Sequence, residues 1–186
     1  MSALTIYSDN STENPQHFTD FDAMAGQLAD IGVQFERWQA SQPLAADADQ
    51  AAVLSAYKNS VDRLNEQYGF KSVDVVALGP NHPDKAAMRQ KFLAEHTHHD
   101  FEVRFFVDGS GMFYLHVNGK VYMVLCEKGD LISVPANTTH WFDMGENPMF
   151  KCIRFFTTEN GWEGHFTGSD IAGRFPDYDT HLAAFA

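Results

Sequence analysis

The sequence predicts a mainly β fold with flanking helices, arranged as a single domain. Three observations carry that prediction. From residue 100 onward apolar and polar residues alternate with a period of two, as in strands whose two faces meet different surroundings. Turn signals punctuate this stretch at Asp108-Gly109, Asn118-Gly119, Lys128-Gly129-Asp130 and Gly145-Glu146-Asn147-Pro148. Helical spacing falls instead within the first 95 residues. Short antiparallel strands at regular intervals build a barrel or a sandwich.

Residues 4–7 read as a weak strand and 20–31 as a helix, followed by a strand through Val33, Phe35 and Trp38. The clearest helix spans 46–68, where Leu54, Tyr57, Val61, Leu64 and Tyr68 share one face. Asp47 and Asp49 suit its start, and Gly69 its end. A strand over 73–78 and a helix over 84–93 follow. Asn118-Gly119, between apolar runs 113–117 and 121–125, marks a tight hairpin. The tail beyond Ile171 reads as loop. The organisation is therefore a strand and helix segment over 1–69, a barrel over 70–168 and a C-terminal tail over 169–186.

The chain has 186 residues, enough for one filled core, and its 16 Phe make that core aromatic. A net charge of −12 repels phosphate backbones and anionic lipid, so neither nucleic acid nor a membrane is expected as a partner. Cys126 and Cys152 lie in apolar runs and read as buried thiols, with a single disulfide as the lesser alternative. The opening residues lack a secretory pattern, and no apolar run approaches the roughly 20 residues that span a bilayer. A cytoplasmic monomer is expected.

Chemistry concentrates in Glu95-His96-Thr97-His98-His99-Asp100-Phe101-Glu102-Val103-Arg104. Alternation puts His96, His98, Glu102 and Arg104 on one face of an extended chain. Two strand steps separate the first two by about 6.6 Å, close enough to share an ion, whereas Glu102 would lie roughly 13 Å beyond His98. A bend near His99 and Asp100 is therefore required. His140, at the end of the apolar run before Trp141 and Phe142, is the fourth candidate ligand. Three imidazoles and a carboxylate suit iron, nickel, cobalt or manganese better than calcium or magnesium.

His96 to Gly109 fits the first cupin motif, His-x-His, three residues, Glu, six residues, Gly. Gly129, Pro135 and His140 fit the second, with five and four intervening residues. Gln90, Asn137 and Met144 depart from the general pattern, which has Gly, Gly and Asn there. Within this superfamily the chain resembles bacterial acireductone dioxygenases over residues 3–176. The matching strings are Phe35-Glu36-Arg37-Trp38, Glu95-His96-Thr97-His98, Glu102-Val103-Arg104-Phe105-Phe106-Val107, Leu131-Ile132-Ser133-Val134-Pro135-Ala136 and His140-Trp141-Phe142-Asp143-Met144-Gly145.

The resemblance implies a cupin-type double-stranded β-helix, or jelly-roll barrel, with N-terminal helices packed on it. It implies one iron(II) or nickel(II) ion per chain on His96, His98, Glu102 and His140. The implied substrates are dioxygen and 1,2-dihydroxy-3-oxo-5-(methylthio)pentene, an acireductone of methionine salvage. The iron form would give 4-methylthio-2-oxobutanoate and formate. The nickel form would give 3-methylthiopropanoate, formate and carbon monoxide. Arg104 is then the catalytic cation that favours the substrate dianion, Glu95 assists metal loading, and Phe101 relays conformational change.

Arg104, Arg154, Phe92, Phe142 and Trp162 are candidate substrate-binding residues, against internal ion pairing for the two arginines and plain core for the aromatics. His116 reads as a hydrogen-bonded interior histidine, His99 as exposed or supporting, and Asp100 as a turn carboxylate. His17, His82, His165 and His181 carry no signal. The donor set alone also admits an isomerase, a hydrolase or a non-catalytic metal-binding cupin.

Overall fold

The protein is described by a computed structural model covering residues 1–158 and 163–184. The chain opens with a hairpin, β1 (Ala3–Ser8) and β2 (Ser11–Phe18), then α1 (Phe21–Ala29) and β3 (Gln34–Arg37). Helices α2 (Gln50–Ala56) and α3 (Lys58–Tyr68) lead to β4 (Ser72–Leu78) and α4 (Lys85–Leu93). The β-rich part holds β5 (His96–Thr97), β6 (Glu102–Val117), β7 (Lys120–Glu127), β8 (Asp130–Val134), β9 (Thr139–Asp143) and β10 (Phe150–Phe156). β11 (His165–Phe166), a 3-10 turn at Ile171–Arg174 and α5 (Tyr178–Ala184) close the described chain.

All strand pairings are antiparallel and form two faces joined through β6. One runs β4-β10-β6-β8-β3, the other β11-β5-β9-β6-β7-β1-β2. The first half of β6 pairs with β8 and β10, the second half with β7 and β9. Asp108-Gly109 is therefore not a turn between strands, as its composition suggested, but a bend inside one 16-residue strand. The register with β10 slips there, from Cys152 opposite Phe106 to Lys151 opposite Asp108, leaving Val107 as the extra residue of a bulge. Gly109 has φ +70°, and a Cβ on it would lie 1.8 Å from the Met149 carbonyl oxygen. No larger side chain fits that crossing.

Between the faces lies a core that includes Leu4, Phe106, Phe113, Val134, Phe142 and Cys152. The expected jelly-roll architecture with flanking helices is present, although the sheet does not close completely. On the outer side of the first face, Val103, Phe105, Ile153 and Phe155 pack under α2 and α3. Phe105 is fully buried between Trp38 and Tyr57, its ring 4.8 Å and 4.6 Å from theirs. Burial of one such ring contributes about 1.5–3 kcal/mol. Tyr7, Tyr114 and Trp141 cover the second face beneath Ile171 and Phe175.

The helix expected over 46–68 is two helices. Tyr57 leaves helical geometry at φ −110°, ψ 13°. Its ring still packs inward, so the apolar spacing runs unbroken across a backbone break. The helix also starts late, because Asp49 caps it by accepting from the Ala52 N–H. The Ala46 and Ala48 carbonyls accept from Lys151 Nζ. The tail expected as loop contains α5, held by Asp143, which accepts from the Tyr178 N–H at 2.9 Å. Both cysteines are free and buried. Among the described residues no helix is long and apolar enough to cross a membrane.

Candidate metal centre

His96 on β5 stands directly across from His140 on β9. β5 ends at Thr97, and the chain bends over His99 and Asp100 before β6 begins at Glu102. Three bonds fix this bend. The His98 carbonyl accepts from the Asn137 N–H at 2.7 Å, and the Asp100 carboxylate accepts from the N–H groups of Phe101 and Thr157 at 2.7 and 3.0 Å. The irregularity required by the reach of Glu102 is thus present, and it returns Glu102 toward the histidines. One ligand atom from each of His96, His98, Glu102 and His140 lies within 4.8 Å of the others.

Main-chain carbonyls set the direction of all three imidazoles. Nδ1 of His96 donates to Ala94 O at 2.7 Å, that of His98 to Glu163 O at 2.9 Å, and that of His140 to Thr138 O at 2.7 Å. With the Nδ1 hydrogen so committed, a neutral ring presents its lone pair at Nε2. Glu102 Oε2 lies 2.9 Å from His98 Nε2 and 3.0 Å from His140 Nε2.

Burial makes this donor set costly without a cation. Desolvation pushes the His96 imidazole down to about 4. Desolvation also opposes ionisation of Glu102, but Arg104 and the contacts from His140 and His98 hold its carboxyl well below the usual range. Burial would lower His98 too, yet its contact with Glu102 leaves it raised. An ionised carboxylate and inward-facing imidazole lone pairs fit a divalent transition metal.

Arg104 is buried, with Nε 2.9 Å from Glu102 Oε1 and its guanidinium over the rings of Phe142 and Phe113 at 4.8 and 5.6 Å. Phe92 packs edge-on to Phe142 at 6.3 Å. Arg154 is the cross-strand partner of both Arg104 and Asp74, and it donates from Nε and Nη2 to the Asp74 carboxylate at 2.9 and 2.6 Å. The internal ion pair expected as the alternative for Arg154 is therefore present.

Glu95 is buried, accepting from Thr167 Oγ1 at 2.7 Å and from His116 Nδ1 at 2.8 Å. Phe101 packs on Tyr68 at 5.2 Å. Trp162 lies outside the described residues. A pocket of about 700 Å³ reaches His98 and is lined also by Lys91, His99, Asp100, Thr157, Glu163 and His165. The roles of Asn137, Thr157, Glu163 and Thr167 are not legible in the sequence: Thr157 and Glu163 act through main-chain groups, and Asn137 and Thr167 through bonds to residues far away along the chain.

A buried centre of three histidines and one carboxylate inside an antiparallel jelly roll defines a metal-binding cupin. The chain belongs to the ARD/ARD' family, whose model matches residues 3–164. It is 55% identical to the acireductone dioxygenase of Methylococcus capsulatus over 100% of both chains. It is 57% identical to that of Aquifex aeolicus, covering 96% of this chain and 97% of the relative. A solved acireductone dioxygenase from Bacillus anthracis, with a cadmium ion in its active centre, superimposes with a TM-score of 0.78 at 28% identity, covering 89% of this chain and 98% of that one.

Proposed function

We propose that the chain is an acireductone dioxygenase of methionine salvage, with one iron(II) or nickel(II) ion held by His96, His98, Glu102 and His140. The observation that carries this is the shared setting of the three imidazoles, each held at Nδ1 by a carbonyl and gathered with Glu102 so that one ligand atom from each lies within 4.8 Å of the others. An ion held by His96, His98, Glu102 and His140 would supply Lewis-acid polarisation of a chelating enediolate.

The chain's own residues supply the rest. Arg104 holds positive charge beside the centre, where it favours the dianion of an acireductone. Phe92 and Phe142 provide an apolar wall suited to a methylthio end, while Arg154, paired with Asp74, stands one strand away from Arg104 as a further substrate contact. Glu95, anchored by Thr167 and His116, braces the start of the ligand strand and assists metal loading. Phe101 links the bend to Tyr68 and thereby to α3, the path assigned to conformational relay. The iron form yields 4-methylthio-2-oxobutanoate and formate, and the nickel form 3-methylthiopropanoate, formate and carbon monoxide. All four ligands come from one chain, so a monomer suffices, and two free buried thiols suit the cytoplasm.

Metal analysis of Glu102→Ala and His140→Ala tests the ligand set. Both variants should fold and lose bound iron or nickel. Full retention by either would overturn the assignment.

A further inference from the structure

Outside the four-residue centre, His99 also has its Nδ1 against a carbonyl oxygen, here that of a side-chain amide. His99 is exposed, adjacent to His98, and its Nδ1 lies 3.0 Å from the side-chain carbonyl oxygen of Asn137. A carbonyl accepts, so Nδ1 carries the hydrogen and Nε2 presents a lone pair, as at His96, His98 and His140. Beside it stands the exposed His165, with ring centroids 4.4 Å apart. Within the centre the three histidine pairs are separated by 4.6, 4.8 and 5.1 Å. The outer rings thus approach each other as closely as the rings of the buried centre do.

The surroundings join this pair to the centre. His98, His99 and His165 line one pocket. The segment carrying His165 also orients His98, whose Nδ1 donates to the Glu163 carbonyl. On the other side Asn137 holds the His98 carbonyl with its N–H and His99 with its amide. Asn137 has φ +62°, the left-handed backbone that explains a glycine in the general cupin pattern. A glycine would keep that turn and lose the bond to His99.

We propose that His99 and His165 form a second, weaker site for a divalent transition-metal ion at the mouth of the pocket, from which the ion passes to the buried centre. Two imidazoles with water completing the shell bind borderline ions of the iron-to-zinc series, more weakly than four protein ligands do. The outer site rests on His99, His165 and Asn137 alone. The onward transfer rests on the proposed ligand set.

Calorimetric titration of the metal-stripped full chain with nickel(II) tests both parts. Two classes of site are expected. The weaker class disappears in His99→Ala and in His165→Ala, and weakens about tenfold or more in Asn137→Gly, as loss of an orienting partner typically does. Stopped-flow loading of the tight class is slower in both histidine variants at limiting nickel, with unchanged final occupancy. His140→Ala loses the tight class and keeps the weak one. A single class in the natural chain, or a weak class that survives in both histidine variants, overturns the outer site. Loading at the natural rate in both overturns the transfer. A tight class retained in His140→Ala overturns the buried ligand set, and with it the transfer, whereas the outer pair stands or falls on His99→Ala and His165→Ala.

Discussion

Glu102 Oε1 lies 2.9 Å from Arg104 Nε, while Glu102 Oε2 faces His98 and His140 at 2.9 and 3.0 Å. One buried carboxylate thus divides its oxygens between a fixed cation and the metal-facing side. Two residues apart on β6, the pair shares a face of the strand, and each side chain offsets the cost of burying the other. Arg104 in turn rests on the ring of Phe142, which belongs to the core between the two faces.

Arg104→Met is therefore expected to keep its metal and lose turnover. Loss of one preorganised cation next to developing negative charge costs about 10²–10³ in kcat. Arg104→Lys should recover part of that loss, since it restores charge without the planar fork. Dioxygen uptake and metal content measured on the same samples check this. An unchanged kcat in the methionine variant would remove Arg104 from the mechanism.

A second pair, with its carboxylate buried and its arginine half-buried, governs stability rather than chemistry. Arg89 on α4 donates from Nε and Nη2 to both oxygens of Asp143 at 2.7 and 2.9 Å, and Asp143 also accepts from the Gly145 and Tyr178 N–H groups. Asp143 is fully buried, so Arg89→Met strands a carboxylate beneath α5. A loss of about 3–5 kcal/mol is expected, a fall in Tm of roughly 10 °C for a chain of this size. Thermal unfolding measures it. A Tm within about 2 °C of the natural chain would contradict the role given to the pair.

His181 supplies a pH dependence away from the metal centre. Burial first, and His17 second, lower its pKa from 6.5. A lowered pKa means that the unfolded chain takes up the proton more readily, so the stability tied to neutral His181 is present above 6.5 and lost as pH falls below it. Urea unfolding followed from pH 7.5 to about 5 should show a fall that flattens in His181→Gln. Parallel profiles in the two proteins would exclude His181 as the source.

The ligand set was legible because motif spacing and donor chemistry point to the same four residues, and because simple strand reach demanded the bend at His99 and Asp100. Arg104 was legible as a charge in an apolar strand. What stayed hidden has physical reasons. β2 is exposed along nearly its whole length, so it lacks the alternation that marks a half-buried strand. Tyr57 breaks a helix while continuing its apolar face. Asp108-Gly109 has turn composition, but the left-handed glycine serves a strand crossing between two faces. His165 gives no pattern in sequence, because its partner His99 is 66 positions away and meets it only through the fold.

The most direct test of the central claim is reconstitution of the metal-stripped chain with iron(II) and, separately, nickel(II), followed by dioxygen uptake and product analysis with an acireductone under air. Uptake is expected with both metals, with formate in each case and carbon monoxide from the nickel form alone. Absence of dioxygen uptake with both metals, in protein shown to hold one ion per chain, would contradict the assignment as a dioxygenase.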